Sequence, residues 1–183
     1  MSILVPVVST GITLNEVPDH VAFYFEIGNC TQNCPHCHSP HLTTQQTLDF
    51  TSIEDMERMA EHAAEQGANA IVLMGGTTNG ISDDDLITIC RRLGYILPVC
   101  LYSGRDDEGE DEGEDMYIAH AADVRWLKTG SYKEDLGGLP SPTTNQRFYR
   151  CENKYFFNRG AYIGSTLDPV DQTHLFQKGA PCT

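Results

Sequence analysis

Three cysteines within eight residues are the part of this sequence best equipped for chemistry. Cys30-Thr-Gln-Asn-Cys34-Pro-His-Cys37-His38 spaces its thiols as C-x3-C-x2-C. Thiolates are soft ligands that select iron-sulfur clusters, zinc or Cu(I) over magnesium and calcium. A cubane cluster normally takes four cysteines, one for each iron, so three closely spaced ones leave one iron with an open site for a further molecule. The same residues admit other readings. Cys34-Pro-His-Cys37-His38 matches the C-x-x-C-H pattern of c-type haem attachment, but that chemistry needs export and leaves Cys30 without a role. Cys30, Cys34 and Cys37 with His38 or His41 would make a closed Cys3His zinc tetrahedron, a structural site without catalysis. Accidental clustering of thiols in one loop is the plainest alternative.

Composition narrows the setting. Seven cysteines is an odd count with three of them crowded together, a poor pattern for a disulfide framework. The opening MSILVPVVSTGITLNEVPDH has no charged region followed by a long apolar run. No stretch approaches the roughly 20 apolar residues of a membrane span. A cytoplasmic protein without a membrane partner is expected. A chain of 183 residues, 40% apolar and 21% charged, suits one globular domain over residues 1–183. The formal charge of -14 argues against a nucleic-acid partner, because binding phosphates needs a basic patch. The acidity reads as solubility.

The elements that must position the cysteines follow from periodicity. Residues 21–27 alternate Val21, Phe23, Phe25 and Ile27 and read as a buried strand, with the cysteine loop directly beyond it. Thr51 to Glu54 matches a capping box, and Ile53, Met56, Ala60 and Ala63 then recur at helical spacing up to Gly67. Residues 70–74 form a short apolar strand ending at Gly75 and Gly76. Ser82 and three aspartates then open a helix carrying Leu86, Ile89, Cys90 and Leu93. A third strand fits Ile96 to Tyr102, a short helix Met116 to Ala122, and a fourth strand Val124 to Lys128. Strands alternating with helices predict an α/β fold: an open or partial (βα) barrel with a mainly parallel sheet and its chemistry at the carboxyl ends of the strands. A full eight-unit barrel needs about 250 residues. Residues 106–115, DDEGEDEGED, read as an acidic surface loop. Arg147 to Cys151 and Lys154 to Asn158 read as two edge strands, and residues 160–183 as an irregular tail.

With the strand in place, C-x3-C-x2-C resembles the signature of the radical S-adenosylmethionine enzymes. That resemblance implies a [4Fe-4S] cluster on Cys30, Cys34 and Cys37. The open iron would bind the amino and carboxylate groups of S-adenosyl-L-methionine, which one electron splits to a 5'-deoxyadenosyl radical. The residue before the third cysteine is generally aromatic and near the adenine; here it is His36. The second strand of the family usually ends in Gly-Gly-Glu, and this chain has Gly75-Gly76-Thr77, with threonine in place of the acid. Read alone, the glycine pair is equally a plain tight turn.

Segments Leu127 to Leu139 and Ser141 to Tyr149 narrow the likeness. With EVPDHV before the first strand and CHSPHL after the cluster, they resemble the activating enzymes of anaerobic ribonucleoside-triphosphate reductase. The substrate so implied is that reductase, on which a glycyl radical is generated, with a donor such as flavodoxin or ferredoxin supplying the electron. The family analogy offers Lys128 for the ligand's carboxylate, Asn145, Gln146 and Arg147 for reductase or ligand contacts, and Ser103 and Gly104 beside the ribose. A solvated surface lysine and a capped turn are the ordinary alternatives. Cys90, Cys100, Cys151 and Cys182 read as small hydrophobes or free thiols, and His41 and His62 as surface residues.

Overall fold

The computed structural model describes residues 2–44, 49–106, 112–159 and 161–177. In chain order the elements are β1 (Leu4–Val5), β2 (Val7–Thr13), β3 (Ala22–Ile27), α1 (His41–Thr44), β4 (Thr51–Ser52), α2 (Ile53–Glu65), β5 (Ala70–Met74), α3 (Asp83–Gly94) and β6 (Val99–Tyr102). They continue with α4 (Glu112–Ala121), β7 (Trp126–Thr129), β8 (Arg147–Asn158), β9 (Ala161–Asp171) and a 3-10 turn, Thr173–Phe176.

The expected partial barrel with a mainly parallel sheet is not what forms. The main sheet is a mixed, seven-stranded one in the order β2-β3-β5-β6-β7-β8-β9, with β1 and β4 paired separately. Only the run β3-β5-β6-β7 is parallel. The pairings β2-β3, β7-β8 and β8-β9 are antiparallel and hold most of the paired residues. The sheet ends at β2 and β9, so it does not close. The reason lies in the segments that lack a clear period: residues 7–13, 147–158 and 161–171 add antiparallel strands, which need no crossover helix. Among the described residues there are four helices, of which α2, α3 and α4 serve the parallel run.

Alternation within the strands builds a core on each face. Ile71 and Leu73 of β5 face α2 and α3 with Phe25, Ile27, Met56, Leu86, Ile89, Leu93 and Leu101. Ala70 and Val72 face the other way, with Cys100, Trp126 and Phe148 under Val17 and Leu139. A strand covered on both faces reads as a continuous apolar run, which is why AIVLM shows no alternation. The four apolar residues expected to face the core in α2, and Leu86, Ile89, Cys90 and Leu93 in α3, are all buried.

Boundaries moved where tertiary pairing intervened. Thr51 pairs with Val5 across β1-β4, so α2 is capped one residue later than the Thr51 box: Ser52 accepts the Asp55 N–H at 3.2 Å. β6 begins only at Val99, because the N–H groups of Ile96 and Leu97 still bond Leu93 O. The two expected edge strands are one twelve-residue strand, β8. The tail read as irregular supplies β9 and the 3-10 turn; Gly179, Pro181 and Cys182 lie outside the described residues. Of the acidic run, residues 107–111 lie outside them too, whereas Glu112 opens α4 and Asp115 is buried. Among the described residues no helix is long and apolar enough to cross a membrane.

Glu54 ties α2 to its surroundings. The Ser2 hydroxyl, its own backbone N–H and the Arg92 guanidinium bond its carboxylate and hold its pKa at about 2. Its folded value lies below the unfolded one, so its contribution is complete above about pH 4.5 and is lost as pH falls towards 2. Glu54→Gln is expected to lower the urea midpoint at pH 7 and to converge on wild type at the acid end of that window. A constant offset from pH 7 to pH 2 would show that the effect is not electrostatic.

Candidate functional site

Parallel pairing sends the carboxyl ends of β3, β5, β6 and β7 to one edge of the sheet. The cysteine loop leaves β3 there, Gly75 and Gly76 follow β5, Ser103 and Gly104 follow β6, and Gly130 follows β7. These loops touch one another. Thr31 donates to Thr78 O through both its N–H and its hydroxyl, each at 3.0 Å. Thr77 Oγ1 lies 3.0 Å from Ser103 Oγ, and both residues are buried. A Cβ on Gly104 would stand 3.2 Å from Gln32 Cγ, so the cysteine loop lies directly against the turn after β6.

Within the loop, each cysteine is directly preceded by a residue in the left-handed region: Asn29 (φ 61°), Asn33 (φ 46°) and His36 (φ 55°). For a non-glycine residue that conformation costs on the order of 1–2 kcal/mol, least for asparagine. Three such residues in one loop curl the chain repeatedly, as loops that wrap anionic groups with backbone N–H donors do. Cys30, Cys34 and Cys37 are free and half-buried. Ser39 N–H points at Cys37 Sγ at 3.4 Å, and Thr78 Oγ1 lies 3.7 Å from Cys30 Sγ. The loop also lies in residues 27–48, the longest stretch of the chain without Asp or Glu. An anionic thiolate centre is thereby spared carboxylates of its own segment.

By its chemistry and spacing this donor set fits a thiolate-held cluster. Among the described residues, however, no three His, Cys, Asp or Glu side chains stand together as a metal ion would need them. A cluster on these three thiols would require the loop to bring them together. The base is already fixed, with Cys30 N–H bonded to Leu42 O at 3.0 Å and Gly28 N–H to Pro6 O at 2.8 Å.

The loop's histidines turn elsewhere. His36, 70% exposed, faces Glu134 at 3.4 Å; His38 packs on Tyr132 with ring centres 4.4 Å apart; His41 meets Glu26 at 3.3 Å. His62 is exposed near Glu65. Lys128 is not a solvated surface lysine. It is 8% exposed, and its Nζ donates to Gly130 O at 2.7 Å and Ser103 O at 3.4 Å. It thus joins the ends of β6 and β7. Asn145 Nδ2 donates to Ser131 O and Asp106, Gln146 Nε2 to Gly130 O, and Arg147 to the carbonyls of Thr144 and Gln146. Those three residues shape the turn before β8. Cys90, Cys100 and Cys151 are buried free thiols. Burial raises all three, Cys90 and Cys151 to about 12, so they stay protonated near neutral pH and make poor metal ligands.

Three residues to which the sequence assigned no role organise this edge. Thr78 receives the cysteine loop. Arg105, with its N–H on Ser103 Oγ, donates to Thr77 O at 2.9 Å and pairs with the buried Asp115 at 3.3 Å. Asn79 bonds the backbone of both glycine turn and β3. For Thr78 and Asn79 the signal was the run Thr77-Thr78-Asn79-Gly80 after the glycine pair, three side chains able to bond backbone where a bare turn needs none. Comparison of the chain with protein-family models, curated proteins and solved structures finds no match.

Proposed function

We propose that this protein is a radical S-adenosylmethionine enzyme of the activase kind, which generates a glycyl radical on a protein substrate, anaerobic ribonucleoside-triphosphate reductase. The observation that supports it best is the cysteine loop: three free thiols at C-x3-C-x2-C spacing beyond a parallel strand, each preceded by a left-handed residue, beside a glycine turn. Cys30, Cys34 and Cys37 would hold the [4Fe-4S] cluster. The chemistry such a group supplies is one-electron cleavage of the S-adenosylmethionine sulfonium to methionine and a 5'-deoxyadenosyl radical.

The chain's own residues bind and orient. Gly75 and Gly76, at φ 109° and 120°, bring bare backbone to the ligand's methionine part, and no other residue adopts that conformation without strain. Lys128 carries positive charge to the same edge of the sheet for a carboxylate. A groove of about 640 Å3 opens at Asn29 and Thr31, either side of Cys30, between the apolar Leu4, Phe50 and Ile81. Its lining includes both neighbours of Cys30 but none of the three thiols, so it would seat an extended protein segment beside the base of the cysteine loop. The electron would come from a donor such as flavodoxin or ferredoxin.

The test is anaerobic reconstitution with iron and sulfide, reduction, and electron paramagnetic resonance with and without S-adenosylmethionine. A reduced [4Fe-4S] signal that changes with the ligand, 5'-deoxyadenosine as product and a glycine-centred doublet on the added reductase are the expected results. A colourless protein holding one zinc per chain would replace the enzyme by a structural-metal domain. An active cluster without the doublet would retain the chemistry and remove the reductase.

A further inference from the structure

Asn79 is 4% exposed, and its side chain makes three hydrogen bonds of 2.7 Å, all to backbone. Oδ1 accepts from Gly76 N–H, and Nδ2 donates to the carbonyls of Ile27 and Gly28. The network fixes the amide's orientation: reversed, its oxygen would face two carbonyls and its NH2 an N–H. One side chain therefore spans from the glycine turn after β5 to the last residue of β3 and the first residue of the cysteine loop. The turn is shaped around it. Gly75 leaves only 3.0 Å between a would-be Cβ and Asn79 Oδ1, and the left-handed Gly76 presents its N–H to the same oxygen.

Resting on the radical-enzyme reading above, we infer that Asn79 is the positioning residue of this site. Its three hydrogen bonds all go to backbone and none to a thiol. It sets the base of the cysteine loop against the glycine turn, so that only the tip must order when the thiols close. Residues that orient metal ligands from behind typically change metal affinity by about 10–100-fold when replaced. Asn79→Asp keeps an acceptor for Gly76 N–H but sets a carboxylate against two carbonyls. Asn79→Ala leaves all three backbone groups without this partner.

The probe is Co2+, whose thiolate charge-transfer absorption reports loading of the three cysteines in the reduced, full-length chain without any turnover. Asn79→Asp and Asn79→Ala should weaken Co2+ binding about 10–100-fold. Ile118→Val, a core change in α4 far along the chain, should bind as wild type does whatever it costs in Tm. Asn79→Ser, which retains a hydroxyl for Gly76 N–H, stands in if Asn79→Ala does not fold. Wild-type affinity in the folded Asn79 variants overturns the inference, and so does a loss in Ile118→Val that matches theirs, since any destabilisation would then suffice. A wild-type chain with no thiolate band overturns the metal reading itself, and the inference with it.

Discussion

Cys34→Ala is expected to reduce iron and sulfide content and 5'-deoxyadenosine formation to background, and Cys151→Ala to leave both near wild type. The contrast follows from where the thiols stand. Cys34 sits mid-loop and half-buried among residues without acids, directly after the left-handed Asn33. Removing it leaves two thiols, too few for a cluster that needs three protein ligands and one open iron. Cys151 is 3% exposed on β8, and burial raises its thiol to about 12. It stays a neutral packing group near pH 7, and alanine there removes only a sulfur from a core. Iron and sulfide assays on both reconstituted variants, with product analysis after reduction, decide the matter. Equal damage from the two substitutions would mean that the ligand set reaches beyond the loop.

What the sequence disclosed of this arrangement, and what it hid, has a common cause. β3, β5, α2 and α3 were legible because each writes its own burial into its own residues, as Phe25 and Ile27, Ile71 and Leu73, and Leu86 and Leu93 do. β9 carries Gly164, Pro169 and mostly exposed or half-buried residues, so no alternation marks it; it is held by pairing with β8. The same blindness produced the parallel-barrel expectation, because local periodicity finds strands but says nothing of the direction in which an unpatterned one will pair. At the site, residue type and spacing singled out the cysteines and glycines. Arg105 and the burial of Lys128 were hidden for the same reason: each is settled by bonds to carbonyls of distant residues, Thr77 O and Ser103 O. A polar side chain that serves remote backbone looks, in sequence, like any polar side chain in a loop.

Gly130 is where such remote service is most exposed to test. It stands at φ +92°, and a Cβ there would lie 2.9 Å from Gln146 Cα and 3.1 Å from Asn145 O. Those are backbone atoms, which cannot swing aside as the Leu86 methyl group facing Gly76 can. The left-handed conformation costs about 1–3 kcal/mol for a side-chain residue, and displacing packed backbone adds a similar amount. Gly130→Ala should therefore lose on the order of 4 kcal/mol, a fall of roughly 8–16 °C in Tm for a chain of this size. Gly94, at the end of α3 with nothing within 4 Å of its would-be Cβ, is the matched control. Gly94→Ala should gain about 0.5–1 kcal/mol, because alanine has less backbone freedom to lose in a helix. The loss at Gly130 also reaches the site. Gly130 O accepts from Lys128 Nζ and Gln146 Nε2, and its N–H donates to Arg105 O at 2.6 Å. Moving that peptide would loosen Lys128, the residue proposed to meet the ligand's carboxylate. In whatever fraction of Gly130→Ala remains folded at 10 °C, S-adenosylmethionine should bind the reconstituted protein more weakly while iron content stays near wild type. A Tm within about 2 °C of wild type, too little for the strain and displacement together, would show that the turn after β7 yields easily and that the lysine is not held by it.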